Sequence, residues 1–581
     1  MQKKMIKKIV MIAGCLLLIA CGLTQGFMRS VPESDDSGVI PQINLKTTRS
    51  IPPTADFGKY LAGTLAKNNQ DMIALNTYYR DVLAADSENT NVLEQLYLTD
   101  VLLGNFDDLL LLIPKMDKQM QDRLYAGDAL VVDALRKGHY QTALKKLKKV
   151  PNNLLQDILT PVLTAWIYVG QNESEKALKA LKPLYKNEQL KSLGLYNEMM
   201  IRLYFNQMQM AENVAQVLIK IEEPTIPVLL GMKELYQRLN KWNPSNPVYA
   251  DYVQLVEKNE MMNALLKQNP SIMRLDSPQK GAAQIFYDIA ASIGGNEMAG
   301  ETAVLFNAFD LALNPDSPMG QSLQAELLES LKLYEAANQI YDAIPNPPDM
   351  VLFKKAVNLI YLNDLGAAEP ILTQLSRNNL GNPLVHSLLA DIYRDTNRLE
   401  QAINHYSLSI DLLKQIQEPK VLANVYFMRA SAYEQIKKVD LAESDLIRSL
   451  MLDSSNPTVL NYLGYTWLEQ GKNFSKAFEY IEKAHALAPD EPHILDSLAW
   501  AYYKQKDYQK ALEMAEQVFD LLPGSSVAAD HLGDIYRALG RYREAGYQYK
   551  KALDLSSDLK PEALSLVRKK QKELNKTLKN Q

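Results

Sequence analysis

Between residues 460 and 556, large and small apolar positions recur among polar ones on one long period. Leu463-Gly464 is followed by Trp467, Ala477, Ile481, Ala484 and Pro489. Leu498-Ala499 is followed by Tyr502, Ala511, Ala515, Val518 and Pro523, and Leu532-Gly533 by Tyr536, Ala545, Tyr549 and Ala552. The leading leucines, Leu463, Leu498 and Leu532, thus return at a nearly constant step. Within each block the three- and four-residue spacing is that of one helical face, so each block predicts two helices. A small residue on each helix (Gly464 with Ala477, Ala499 with Ala511, Gly533 with Ala545) lets the two approach closely, and Pro489 and Pro523 stop the second. One such pair cannot bury its apolar face alone, so neighbouring pairs must stack. The alanine at the inter-helix contact can be walked back through Ala442, Ala402, Ala368, Ala337 and Ala303, and in the N-terminal half through Ala211, Ala177, Ala143 and Ala74. About ten to twelve pairs are expected.

This pattern resembles the tetratricopeptide repeat (TPR), L-G-x-x-Y followed by Ala, an aromatic or aliphatic residue, Ala and Pro. The resemblance implies an all-α TPR solenoid, a right-handed superhelix of antiparallel helix pairs. The period divides the chain into a TPR-like array over 56–220, an irregular segment over 221–280, a second array over 281–556 and a basic amphipathic helix over 557–581. The middle segment loses the period and holds six prolines between Pro224 and Pro278. It reads as irregular helix pairs or as a junction between two arms. The last helix reads as the solvating cap that a repeat array needs.

The stretch 1–55 follows no repeat. Lys3, Lys4, Lys7 and Lys8 precede an apolar stretch from Ile9 to Ala20, too short for a bilayer span, which takes roughly 20 residues. The string Leu18-Ile19-Ala20-Cys21-Gly22 resembles a bacterial lipobox. It implies a signal peptide over 1–20, cleavage before Cys21, and acylation of that cysteine, with two or three chains giving stable membrane attachment. Gly22 in place of Asp implies sorting to the outer membrane where the enterobacterial rule holds. Residues 21–55, rich in Pro, Ser, Asp and Thr, read as a lipidated tether with a span on the order of 30 Å.

Composition narrows the chemistry. The only cysteines are Cys15 and Cys21, so the body beyond them has no thiol for a disulfide, a nucleophile or a thiolate metal site. At 47% hydrophobic residues the chain can hold itself together by its core. Net charge is −5, and −9 once the four leader lysines are removed, which argues against a nucleic-acid partner. None of the six histidines stands in H-E-x-x-H, no G-x-S-x-G or phosphate-binding loop sits between a strand and a helix, and no strands are expected. His485 and His493 lie eight apart without a third ligand, an incidental pair. No enzyme activity, cofactor, metal or small-molecule substrate is expected.

TPR geometry further implies which residues line the concave face. Mapped here they are Asn461 and Tyr465, then His493, Asp496, Trp500, Tyr503 and Lys504, then Asp530, Asp534 and Arg537. Aromatic and arginine anchors suit a protein interface, and the acids suit a basic or backbone-donor partner. The alternative is that Trp500 and Tyr503 pack against the next repeat. Asn461, Asp496 and Asp530 occupy the place where chaperone-adaptor TPRs carry a carboxylate clamp, so that clamp is not reproduced. Residues 281–556, including Gly281-Ala282-Ala283-Gln284-Ile285-Phe286-Tyr287-Asp288-Ile289-Ala290, are similar to large TPR proteins of proteobacteria. Among these are outer-membrane lipoproteins that bind a periplasmic carboxyl-terminal processing protease and deliver cell-wall hydrolases to it. The expectation is a non-enzymatic, lipid-anchored periplasmic scaffold. The alternative is an assembly lipoprotein for a pilus, secretin or exopolysaccharide export complex.

Overall fold

The computed structural model describes residues 57–580, apart from 70, 222–224, 258–275, 296–298, 345, 379–380, 417 and 556–560. The expected signal peptide, Cys21 and the whole of the tether lie outside the described residues. Among the described residues every regular element is a helix, and no helix is long and apolar enough to cross a membrane. The chain divides into two compact units, Met1–Asp364 and Leu365–Gln581.

In the second unit, antiparallel pairs follow one another: Pro383–Asp395 with Leu399–Leu413, Pro419–Gln435 with Val439–Leu452, Pro457–Gln470 with Phe474–Leu487, Pro492–Lys504 with Tyr508–Leu521, and Ser526–Ala538 with Tyr542–Asp554. The helix Pro561–Asn580 packs on the last of these and buries Val567 and Leu574. Most first helices begin with proline at the opening turn, where its missing N–H costs nothing. Asn382, Asn456 and Ser525 accept backbone N–H groups as caps.

Each of these first helices ends on a residue in the left-handed region: Asn397, Lys437, Gly471, Lys506 and Gly540. In the first unit Gly104, Gly138, Asn172, Asn206 and Asn240 repeat this turn at one uniform step. Glycine and asparagine tolerate that backbone best, so the turn residue itself marks the period. The alanine series meets the helix contacts as expected: Ala143, Ala177, Ala211, Ala303, Ala337, Ala368, Ala402, Ala477, Ala511 and Ala545 have no exposed surface. Ala74 is half-buried. One repeat before Ala143, the same place is filled by the fully buried Leu109.

Two boundaries differ from the spacing-based division. The segment over 221–280 is partly regular: Ile226–Arg238 is an ordinary repeat helix ending at the Asn240 turn. Order changes beyond it, where Trp242 packs between Tyr249 and Tyr252 and a π turn runs over Val253–Glu257. The second difference is at residue 281. The helices Pro278–Ile293 and Gly300–Leu313, assigned from spacing to the C-terminal array, belong to the first unit. The former packs on Gln156–Gly170, the latter on Thr90–Leu102 and Ala126–Arg136. Gly281 makes this possible, because a Cβ there would collide with the ring of Trp166. Phe306 packs on Tyr125 and Phe309 on Phe106, at centroid distances of 5.1 and 6.1 Å. Helices with apolar residues on most sides must be covered on more than one face, and here the cover comes from pairs far earlier in the chain.

Candidate partner-binding groove

The residues expected to line the concave face come from the first helices of three successive pairs and are extended by the terminal helix. Repetition aligns them, so that residues one repeat apart in sequence become neighbours. Trp500 Nε1 donates to Glu469 Oε1 of the preceding pair at 2.7 Å. The indole lies parallel to Tyr503 on its own helix, centroids 4.7 Å apart, and to His531 of the next pair, centroids 4.2 Å apart. Lys504 Nζ sits 4.8 Å above the same indole and 3.3 Å from Glu469. His531 Nδ1 lies 3.1 Å from both carboxylate oxygens of Asp496. A slab of three stacked rings is thus pinned by two acids.

At the next step the acids are taken up by the chain itself. Lys570 Nζ donates to Asp530 at 2.8 Å and to Asp534 Oδ2 at 2.6 Å. Tyr549 donates its hydroxyl to Asp534 Oδ1 at 2.6 Å. Arg537 lies 3.6 Å from Glu573 of the terminal helix.

These contacts set the electrostatics. Burial raises the Asp530 carboxyl above the usual range, while Lys570 pulls it back. Burial works against protonation of His531, but Asp496, Asp530 and Asp534 outweigh it and hold the imidazole above its ordinary value. Burial, followed by Glu469, Asp496, Asp530 and Glu434, pushes the Tyr465 phenol up, so this phenol stays neutral in an acidic surround.

The expected residues therefore divide. Asp496, Trp500 and Tyr503 are joined through His531, Asp530 and Asp534 are joined through Lys570, and Tyr465 feels the charges of Asp496 and Asp530. His493 is exposed on the first turn of its helix, Arg537 is exposed, and Asn461 Oδ1 is buried without a hydrogen-bond partner among the described residues. Trp500 is only 8% exposed, so its indole face is covered by His531. On this face Glu469, Lys504 and Arg537 are exposed, and Tyr465 and Tyr503 are half-buried. Glu469, His531 and Lys570 were absent from the sequence-based set. Each acts across a repeat boundary, and a position-by-position mapping within one repeat does not register such pairs. Among the described residues there is no group of three or more metal-ligating side chains.

Profiles of the tetratricopeptide repeat match residues 353–413, 423–456 and 497–560. A TPR repeat-containing protein of Pseudomonas aeruginosa, PA4667, is 35% identical over 122 residues, 21% of this chain and 20% of that protein. Bacteriophage adsorption protein A of Escherichia coli K12 is 28% identical over 149 residues, 26% of this chain and 14% of that protein. The matches thus span a fifth or less of these relatives' length. Among solved structures, one chain of the APC/C hetero-tetramer Cut9-Hcn1 aligns over 88% of this chain and 95% of its own length, at 15% identity and a TM-score of 0.36. YrrB, a TPR protein described as having an unusual peptide-binding site, aligns with 34% of this chain and 97% of its own, at 19% identity and a TM-score of 0.27.

Proposed function

We propose that this tetratricopeptide-repeat protein is a non-enzymatic scaffold, held to the periplasmic face of the outer membrane by acylated Cys21. Its second unit receives a processing protease and the cell-wall hydrolases that the protease cuts. The repeats make it a protein-binding scaffold. The finer reading is supported by the lipobox and by the resemblance of residues 281–556 to adaptor lipoproteins. The observation that carries the binding surface is the accessible edge of Tyr503, Lys504 and Glu469, held rigid by the buried stack of Trp500 on His531 and by Asp496 behind it. A rigid aromatic platform with a mixed-charge rim suits protein recognition, because its side chains lose little freedom on binding.

The test is cross-linking in intact cells with a C-terminally tagged chain, comparing wild type with Tyr503→Ala plus Lys504→Glu. Both positions lie at the platform edge, and the change leaves Trp500 in place. Capture of a periplasmic protease or wall hydrolase that is lost in the double variant supports the reading. Capture of a secretin or pilus component that persists in the variant replaces it with an assembly role. A Cys21→Ser chain found soluble in the periplasm supports the anchor, and one still in the membrane fraction removes it.

A further inference from the structure

The first unit holds a polar interior that the platform of the second unit does not use. A cleft of about 460 Å³ opens where Pro278–Ile293 faces Lys191–Tyr204 and Ile226–Arg238. Its walls are mainly apolar, among them Leu193, Met232 and Tyr196, yet Asp288 lies in them. A second cavity of about 50 Å³ shares the wall made by Tyr196, Pro227 and Tyr287, and Asp310 lines it. That volume holds a few water-sized groups, enough for an ammonium or guanidinium head and no more.

Asp310 is the anomaly. It is 2% exposed, and its Oδ2 has no hydrogen-bond partner among the described residues. Room for this oxygen is kept by Gly320, where a Cβ would collide with it. Lys280 lines the same cavity, but its Nζ is held by Asp276 at 2.9 Å. Burial, and after it the charge of Asp288, hold the Asp310 carboxyl well above the ordinary range, and burial pushes Asp288 up to about 7. Buried carboxyls are ordinarily paired or hydrogen-bonded, so an unpaired oxygen beside a cavity is an acceptor open to a donor from outside the chain.

We infer that the smaller cavity binds a lysine side chain of a partner polypeptide, its ammonium against Asp310 and the end of its stem beside Tyr196 and Tyr287. The stem buries apolar surface, and the rings add attraction for the cation. This site lies within the first unit and does not rest on the platform reading.

The probe is N-acetyl-lysine methylamide, titrated calorimetrically into the full chain in detergent, with N-acetyl-norleucine methylamide as the uncharged comparison. The expected result is saturable lysine binding, weakened at least about tenfold for norleucine and for the Asp310→Asn chain. Asp310→Asn replaces a buried acid with a neutral group of the same shape, so its melting temperature is expected to hold or rise, which separates lost binding from lost folding. Affinity is also expected to tighten from pH 6 to pH 8 as Asp288 ionises. Tyr196 and Tyr287 line both spaces, Asp310 and Lys280 line the smaller cavity, and Glu234 and Glu326 act on the two phenols through space. Equal binding of the two probes, full affinity in Asp310→Asn, or no saturable binding at millimolar probe overturns the proposal. In each of those cases Asp310 is a neutral structural acid.

Discussion

The ammonium of Lys570 lies 2.6 Å from Asp534, which stands 36 positions earlier in the chain. Asp530 shares the same ammonium, and all three side chains are less than a fifth exposed. Removing the cation leaves two half-desolvated acids side by side. Lys570→Met is expected to destabilise the terminal repeat by about 2 kcal/mol. Hydrogen exchange over residues 561–580 is expected to lose protection before the preceding pairs do. Unchanged protection there removes Lys570 as the clasp.

The close approach of paired helices is a matter of Cβ atoms. An alanine at Gly464 places its Cβ 2.8 Å from the carbonyl of Ala477, and one at Gly533 places it 2.6 Å from the Tyr549 ring. Each is expected to cost about 1–3 kcal/mol by forcing the pair apart. Gly524→Ala, with open space around it, is the control and is expected to be neutral or slightly stabilising. Denaturant midpoints of the three variants rank the effect, and a neutral Gly464→Ala refutes the close-contact account.

Asp128 is 1% exposed, accepts from Gln156 Nε2 at 2.8 Å, and is pushed up to about 6 by burial. A raised value in the folded state means that its stabilising neutral form is fully present below the ordinary carboxylate value near 4 and lost as pH rises through about 6. Asp128→Asn keeps the acceptor and removes the charge. It is expected to exceed wild type by about 3 kcal/mol at pH 8, with the difference vanishing near pH 3. A constant difference across that range contradicts the assignment.

His531 carries the same sign in the second unit. Its raised value makes its contribution complete below the ordinary imidazole value near 6.5, fading as pH climbs through the folded-state value. Wild type is expected to gain stability over His531→Gln on acidifying from pH 8 to pH 6. The imidazole proton, followed by NMR against Asp496→Asn, is expected to titrate lower once that acid is neutral.

The alanine contacts were legible in the sequence, because a small residue returning at a fixed step is what a close helix crossing demands. The turn series Gly104, Gly138, Asn172, Asn206 and Asn240 was equally present and carries the period through the stretch where Leu109 replaces the alanine. What spacing does not convey is which distant face covers a helix. Gly281 reads as a repeat glycine, and nothing in its neighbourhood names Trp166 as its partner. The platform was half legible in the same way: Trp500 is conspicuous, whereas its burial under His531 depends on a neighbour one repeat away.

Repeat arrays made of adjacent contacts assemble by zippering, with little chain to close at each step. The first unit departs from that scheme, since Gln279 Nε2 donates to the carbonyl of Leu135, 144 residues away. Its contact order is set by this return, and loop-closure entropy must be met before Trp166 finds Gly281. Any route that delivers the chain from its N-terminus leaves that indole and its neighbours waiting uncovered until the stretch around Gly281 arrives. For this protein the vulnerable species is a half-delivered first unit, and a holding chaperone would act on it there.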